Sequence, residues 1–187
     1  MKANIEIEIP SGKKAEWVNG FLTLVDEQVK DNRPVTERIK TFQDAMDELG
    51  AEHPFIEQYV QISEAYKGED SVKDVVAYLK LRIITAALNE GWEPQFTTDE
   101  WRYFPYFYLY TQEDIDAMDE EDKHRVVYRS YYNASAYGGV SYANAYHDSS
   151  HSSAYIGSRL AFKTRELAKY AGEQFIEIWA DYVFKAQ

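Results

Sequence analysis

The chain is expected to fold as an α+β protein, with an N-terminal β meander, a central helical segment, and an antiparallel aromatic-rich sheet with a C-terminal helix packed on it. Three features predict this. Period-two alternation and turn signals fill the first 26 residues, capped stripes of helical period occupy 42–91, and a β-forming, aromatic texture runs from Trp92 to a final amphipathic stretch.

Ile5, Ile7 and Ile9 alternate with Asn4, Glu6 and Glu8, as in a half-buried strand. Pro10-Ser11-Gly12 reads as a turn, and Asn19-Gly20 between two apolar runs reads as a hairpin turn, because both residues tolerate positive φ. Strands are therefore expected over about 3–9, 14–18 and 21–26. Residues 28–35 form a polar connector.

In the helical segment, Thr41 can cap 42–49 with Asp44 completing a capping box, and Phe42, Ala45, Met46 and Leu49 form the apolar stripe ended by Gly50. Pro54 suits a first helical position, and Phe55, Tyr59, Ile62 and Tyr66 line one face up to Gly68. Ser71 and Asp74 are expected to open the longest helix. Its stripe of Val72, Val75, Val76, Leu79, Ile83 and Leu88 is widened by Leu81 and Ile84, which places it in the core, and Gly91 stops it.

"EWRYFPYFYLY" is dense in β formers, and Pro105 makes it an edge or a bent strand. A short acidic helix follows, with Thr111 and Asp114 in capping positions. Residues 126–147 are expected to form a hairpin turning at Gly138-Gly139, followed by a loop through "HDSSHSSAYIG" and a strand at "SRLAFKT". Thr164 then caps a helix to about 184, facing inward with Leu167, Ala171, Phe175, Ile178, Trp179 and Tyr182. Gly172, with Ala168 and Ala171, leaves a smooth patch where this helix can lie close to a sheet. The 187 residues fit one domain, with subregions 1–30, 36–91 and 92–187.

Composition excludes several chemistries. The chain has no cysteine, hence no disulfide, thiol nucleophile or cysteine zinc site. The start "MKANIEIEIPSG" lacks the apolar core of a signal peptide, and no window approaches the roughly 18 apolar residues of a membrane span, so a cytoplasmic, soluble protein is expected. Neither G-x-x-x-x-G-K-[ST] nor G-x-G-x-x-G occurs. The net charge of −12 is unevenly spread: 1–122 carry −15, whereas 123–170 carry +5 through Lys123, Arg125, Arg129, Arg159, Lys163, Arg165 and Lys169.

Four stretches, "KKAEWVNGFLTLV", "RPVTERIKTFQDAMDELG", "LRIITAALNEGWEPQF…RYFPYFYLY" and "IGSRLAFKTRELAKYAGEQFIEIWADYV", in this order resemble an uncharacterised protein family of anaerobic gut bacteria, their prophages and their phages. The resemblance covers most of the chain, 112–156 being its least distinctive part. It implies a mobile-element or phage setting and carries over no activity and no catalytic residue.

Among local motifs, His147-Asp148-Ser149-Ser150-His151 offers two histidines four apart. Its Ser- and Tyr-rich surroundings read as loop, and a catalytic zinc usually takes three protein ligands, so no metal site and no cofactor are assigned. Ser158 follows a glycine without a G-x-S-x-G elbow. The acidic run from Glu113 to Asp122 fails the EF-hand pattern, because Met118 takes a ligand position, and it reads as a solvated helix. No catalytic residue is singled out and an enzyme is not expected.

What remains is a combination of tyrosines and cations. Tyr128, Tyr132, Tyr142 and Tyr146 share parity in their strands, and with Arg129 and Arg159 they make the candidate binding surface. Such a surface suits a protein interface or self-association. It also suits stacking on single-stranded nucleic acid or glycan, and equally a two-sided core with hydroxyls at its rim. The expected function is a non-catalytic binding or assembly protein, with accessory single-strand or glycan binding as the alternative and an enzyme with a non-local site last.

Overall fold

A computed structural model describes residues 7–18, 20–26, 31–95, 97, 99–130, 137–149 and 158–184. The chain is α+β and divides into two compact units, Met1–Arg33 and Pro34–Gln187. The sequence reading treats 1–187 as one domain whose first subregion ends at 30, close to this division.

The first unit is a hairpin. β1 (Lys13–Val18) and β2 (Phe21–Asp26) pair antiparallel, from Lys13↔Asp26 to Val18↔Phe21. Gly20 supplies the positive φ, 83°, that the tight connection requires. Of the expected first strand, 7–9 are not strand and 3–6 lie outside the described residues, so the described meander is two strands.

The second unit begins with helices. α1 (Val35–Arg38) is a single turn, and α2 (Phe42–Leu49) starts at the predicted capping box, with Thr41 and Asp44 satisfying each other's backbone N–H. α3 (Pro54–Ala65) has Pro54 at its first position and His53 Nδ1 accepting from Phe55 N–H. α4 (Lys73–Asn89) is entered through a 3-10 turn, Asp70–Val72, so Ser71 lies in that turn instead of capping the helix. α4 buries Ala77, Leu79, Leu81, Ile83, Ile84, Ala87 and Leu88, which makes it the central helix of the core.

The sheet has the order β3-β5-β4, from β3 (Trp101–Thr111), β5 (Tyr137–Ser149) and β4 (Val127–Ser130). β3, with Pro105, is an edge strand as expected. Two acidic helices, α5 (Gln112–Ala117) and α6 (Glu120–Lys123), connect β3 to β4. The final helix is divided at Phe175 into α7 (Arg165–Gln174) and α8 (Ile176–Val183), where a single helix to 184 is expected. At the break the Ala171 carbonyl accepts from both Phe175 N–H and the buried Trp179 indole, at 3.2 and 3.1 Å.

Two further expectations are corrected. Gly138 and Gly139 are not the turn of the β4–β5 hairpin: Ser130 pairs with Tyr137, so the connection is 131–136 and both glycines lie inside β5. Their role is close approach. A Cβ on Gly138 would meet the Phe184 ring and the Tyr110 carbonyl, and one on Gly139 would meet Val126 and Ile115. "SRLAFKT" is not a strand either. It forms a 3-10 turn, Ser158–Leu160, and one isolated bridge between Phe162 and Tyr103. The buried Asn89 amide holds this segment, donating to the Ala161 carbonyl at 2.8 Å and accepting from Lys163 N–H at 3.1 Å.

Gly172 is as predicted. A Cβ there would stand 2.6 Å from Tyr142 and 2.8 Å from Pro105, so α7 lies directly on the sheet. Trp179, Phe162, Leu160, Leu88, Ile83, Ile84 and Ile39 fill the space between helices and sheet.

Candidate functional site

β3 presents different residues on its two sides. Tyr103, Pro105 and Phe107 face the C-terminal helices: Pro105 lies under Gly172, and the Phe107 ring centroid is 5.4 Å from that of Trp179. Tyr106, Tyr108 and Tyr110 take the alternate positions and so share the opposite side. Tyr106 and Tyr108 are 50% and 52% exposed, well above the buried Phe104 on the same side. Successive ring centroids in this row are 6.2 Å apart, edge-on between Tyr106 and Tyr108 and tilted between Tyr108 and Tyr110. The Tyr110 hydroxyl lies 3.2 Å from that of Ser141, which pins one end of the row to the neighbouring strand.

That end abuts the acidic helices. Ile115 of α5 and Val126 pack where a Gly139 side chain would be, and Gly139 is the ladder partner of Tyr110. α5 therefore lies on the tyrosine side. Glu113, Asp114, Asp116, Asp119, Glu120, Glu121 and Asp122 on α5, α6 and their junction are all exposed. Asp114 completes a capping box with Thr111, whose hydrogen bonds hold the Asp114 carboxyl below its ordinary range. Asp44 is held low in the same way by Lys40 and Thr41 N–H groups and the Thr41 hydroxyl.

Of the six residues proposed from sequence, Tyr142 and Arg159 have described side chains. Tyr132 lies outside the described residues, as do the side chains of Tyr128, Arg129 and Tyr146. Tyr142 is packed on the helix side, against Phe107 with ring centroids 6.2 Å apart and beneath Gly172. Burial pushes its hydroxyl pKa up, the charge of Glu173 adds to this, and Arg165 opposes it. Tyr142 and Tyr146 share sequence parity, but the backbone ladder shifts register between them. Phe107 pairs with Tyr142, Tyr106 with Asn144, and Phe104 with Tyr146, so Ala143 is an extra residue and the alternation reverses across it. Tyr128 pairs with Gly139 and Arg129 with Gly138, on alternate rows of the ladder. Arg159 is exposed on the 3-10 turn.

The row that the structure does present was readable in "YFPYFYLY", where Tyr106, Tyr108 and Tyr110 alternate with Phe107 and Leu109. Its period-two alternation is the signal that separates this row from the side facing the final helices.

The positive charge of 123–170 is dispersed by its contacts. Lys123 pairs with Glu120, Arg125 with Glu121 and Asp122, Lys163 with Glu90, and Lys169 with Glu173. Arg165 donates to the Ala145 carbonyl at 2.8 Å and stands 5.8 Å from the Tyr103 ring centroid. Ser158 accepts from buried Arg102 at 2.7 Å, a tie between β3 and the 3-10 turn. His147 has no described side chain and His151 lies outside the described residues; among the described residues, no group of three or more His, Asp or Glu is placed to hold a metal ion. No described helix is long and apolar enough to cross a membrane. No protein-family model, curated protein or solved structure matches the chain.

Proposed function

We propose that the chain is a non-catalytic protein-binding or assembly module, and that its contact surface is the Tyr106, Tyr108 and Tyr110 row with the acidic shoulder of α5 and α6. One observation carries this reading: half-exposed rings on a backbone-paired strand run into seven exposed carboxylates. Rigid tyrosines bury large area at low entropic cost, and their faces attract cations. Carboxylates beside them favour a partner that presents Lys or Arg and repel a phosphate backbone. The ion pairing of Lys123, Arg125, Lys163 and Lys169 leaves the nucleic-acid alternative with little of the charge that motivated it. A mobile-element or phage setting is what the sequence resemblance implies; the assembly role rests on the surface alone.

The test is a fluorescence titration at physiological salt with an Arg- and Tyr-containing basic peptide and with oligo-dT. The peptide binds, and Tyr106→Ser with Tyr108→Ser weakens it by about tenfold or more, as loss of two interface tyrosines should. Oligo-dT does not bind. Unchanged peptide affinity in the double variant rejects the tyrosine row. Micromolar oligo-dT binding with a steep salt slope, lost on Arg159→Ala, would promote single-strand binding instead.

A further inference from the structure

We infer that the tyrosine row selects arginine over lysine, so that the partner's anchors are guanidinium groups lying flat on the rings of Tyr106 and Tyr108. This rests on the reading of the row as a contact surface and names the side chain that the surface takes.

The rings are arranged to offer their faces. Tyr106 and Tyr108 meet at an interplanar angle of 84°, and Tyr108 and Tyr110 at 44°, both with centroids 6.2 Å apart. Neither pair is stacked face to face, so the rings do not use up one another's faces. Tyr110 is partly buried and its hydroxyl lies against that of Ser141, whereas Tyr106 and Tyr108 are half-exposed. The hydroxyls of Tyr106 and Tyr108 make no hydrogen bond among the described residues. These two rings are therefore the ones that a partner meets.

The face of a phenol ring is the negative part of its quadrupole and attracts either cation. Hydration and shape separate the two. The row lies at the surface, so the water that a cation must shed to touch a ring decides the contact. An ammonium is compact and strongly hydrated. A guanidinium is planar and more weakly hydrated, so it lies flat on a ring at smaller cost and keeps its N–H donors in the plane for other acceptors. The exposed carboxylates of α5, on the same side of the sheet, are acceptors of the kind that its fork fits.

The body of the protein contains this arrangement in its own packing. The Arg82 guanidinium carbon lies 3.9 Å from the Phe55 ring centroid while Nη1 donates to Gln58 Oε1 at 3.1 Å. Described lysines stand farther from their rings: Lys80 is 5.6 Å from Phe42 and 6.0 Å from Tyr59, and Lys40 is 5.9 Å from Tyr170. Arg165, which donates to the Ala145 carbonyl, stays 5.8 Å from Tyr103. A guanidinium that stacks closely and donates in its plane is thus compatible with this chain's aromatic surfaces.

The test is fluorescence anisotropy at physiological salt with the full chain and two labelled peptides of equal length and charge, one alternating Gly with Arg and the other Gly with Lys. The Arg peptide should bind at least about fivefold tighter. Tyr106→Phe with Tyr108→Phe keeps both ring faces and should keep this ratio. Tyr106→Ser with Tyr108→Ser removes them and should bring the ratio to about one. Equal affinity of the two peptides for the unsubstituted chain overturns the selection of arginine and leaves the contact surface standing. A ratio that survives Tyr106→Ser with Tyr108→Ser, or that is lost in Tyr106→Phe with Tyr108→Phe, assigns the selection to something other than the ring faces and overturns it as well. If neither peptide binds, the contact surface itself falls and the selection falls with it.

Discussion

Trp17 and Trp179 are the same residue type in opposite situations. Trp17 stands 75% exposed on the hairpin of the first unit, and Trp179 is fully buried in the second. The difference is the number of layers. Between helices and sheet in the second unit, an indole can fill a closed space and find a carbonyl for its N–H, here that of Ala171. The two described strands of the hairpin supply no second layer of their own, and the Trp17 ring is left exposed. Apolar content therefore does not separate core from contact surface; what packs over it does.

The largest way to sharpen that contrast is paired truncation. Trp179→Ala should cost about 3–5 kcal/mol of unfolding free energy in urea, through lost contacts and a cavity. Trp17→Ala should change the body's stability by less than about 0.5 kcal/mol when measured on dilute chains. Comparable losses at the two positions would mean that the hairpin shares the body's core.

A smaller effect tests how closely the layers of the body approach. Gly172→Leu should destabilise by about 1–3 kcal/mol, because its side chain must displace the Tyr142 ring or Pro105. At an open position the substitution would instead gain up to about 1 kcal/mol of helix propensity. A more stable variant rejects close contact between α7 and the sheet.

The mildest effect is alkaline. Burial raises the hydroxyl pKa values of Tyr142, Tyr170 and Tyr182 above 10.0, helped respectively by the charges of Glu173, of Asp44, and of Tyr78 and Asp74. The folded chain holds these protons after the unfolded chain has released them. Their contribution to stability is full below the unfolded value near pH 10 and is lost as pH rises through the folded values. The body's melting temperature should fall above about pH 10, and Tyr142→Phe should make the fall shallower. The hairpin contains no tyrosine and has no part in this dependence. A decline equally steep in Tyr142→Phe would remove Tyr142 as one of its causes.

Much of the fold was legible because its causes are local. The Thr41–Asp44 and Thr111–Asp114 capping boxes, Pro54 at a helix start, the tight connection at Gly20 and the edge position of a strand containing Pro105 each follow from chemistry within a few residues. The candidate surface was less legible. Parity along a strand identifies a side only if the ladder is regular, and the extra residue Ala143 reverses it between Tyr142 and Tyr146. On β3, which carries no extra residue, Tyr106, Tyr108 and Tyr110 keep one side.

Local backbone and capping chemistry thus mark many of the elements within the sequence itself. Long-range packing was needed to show that Gly138 and Gly139 serve close approach instead of a turn, that Asn89 holds 161–163 out of a strand, and that the last helix breaks at Phe175. It was also needed to show that Lys163 is matched with the distant Glu90. Hydrogen bonds between neighbours are encoded in adjacent letters, whereas cross-ladder register, steric clearance and charge neutralisation depend on residues that meet only once the chain has folded.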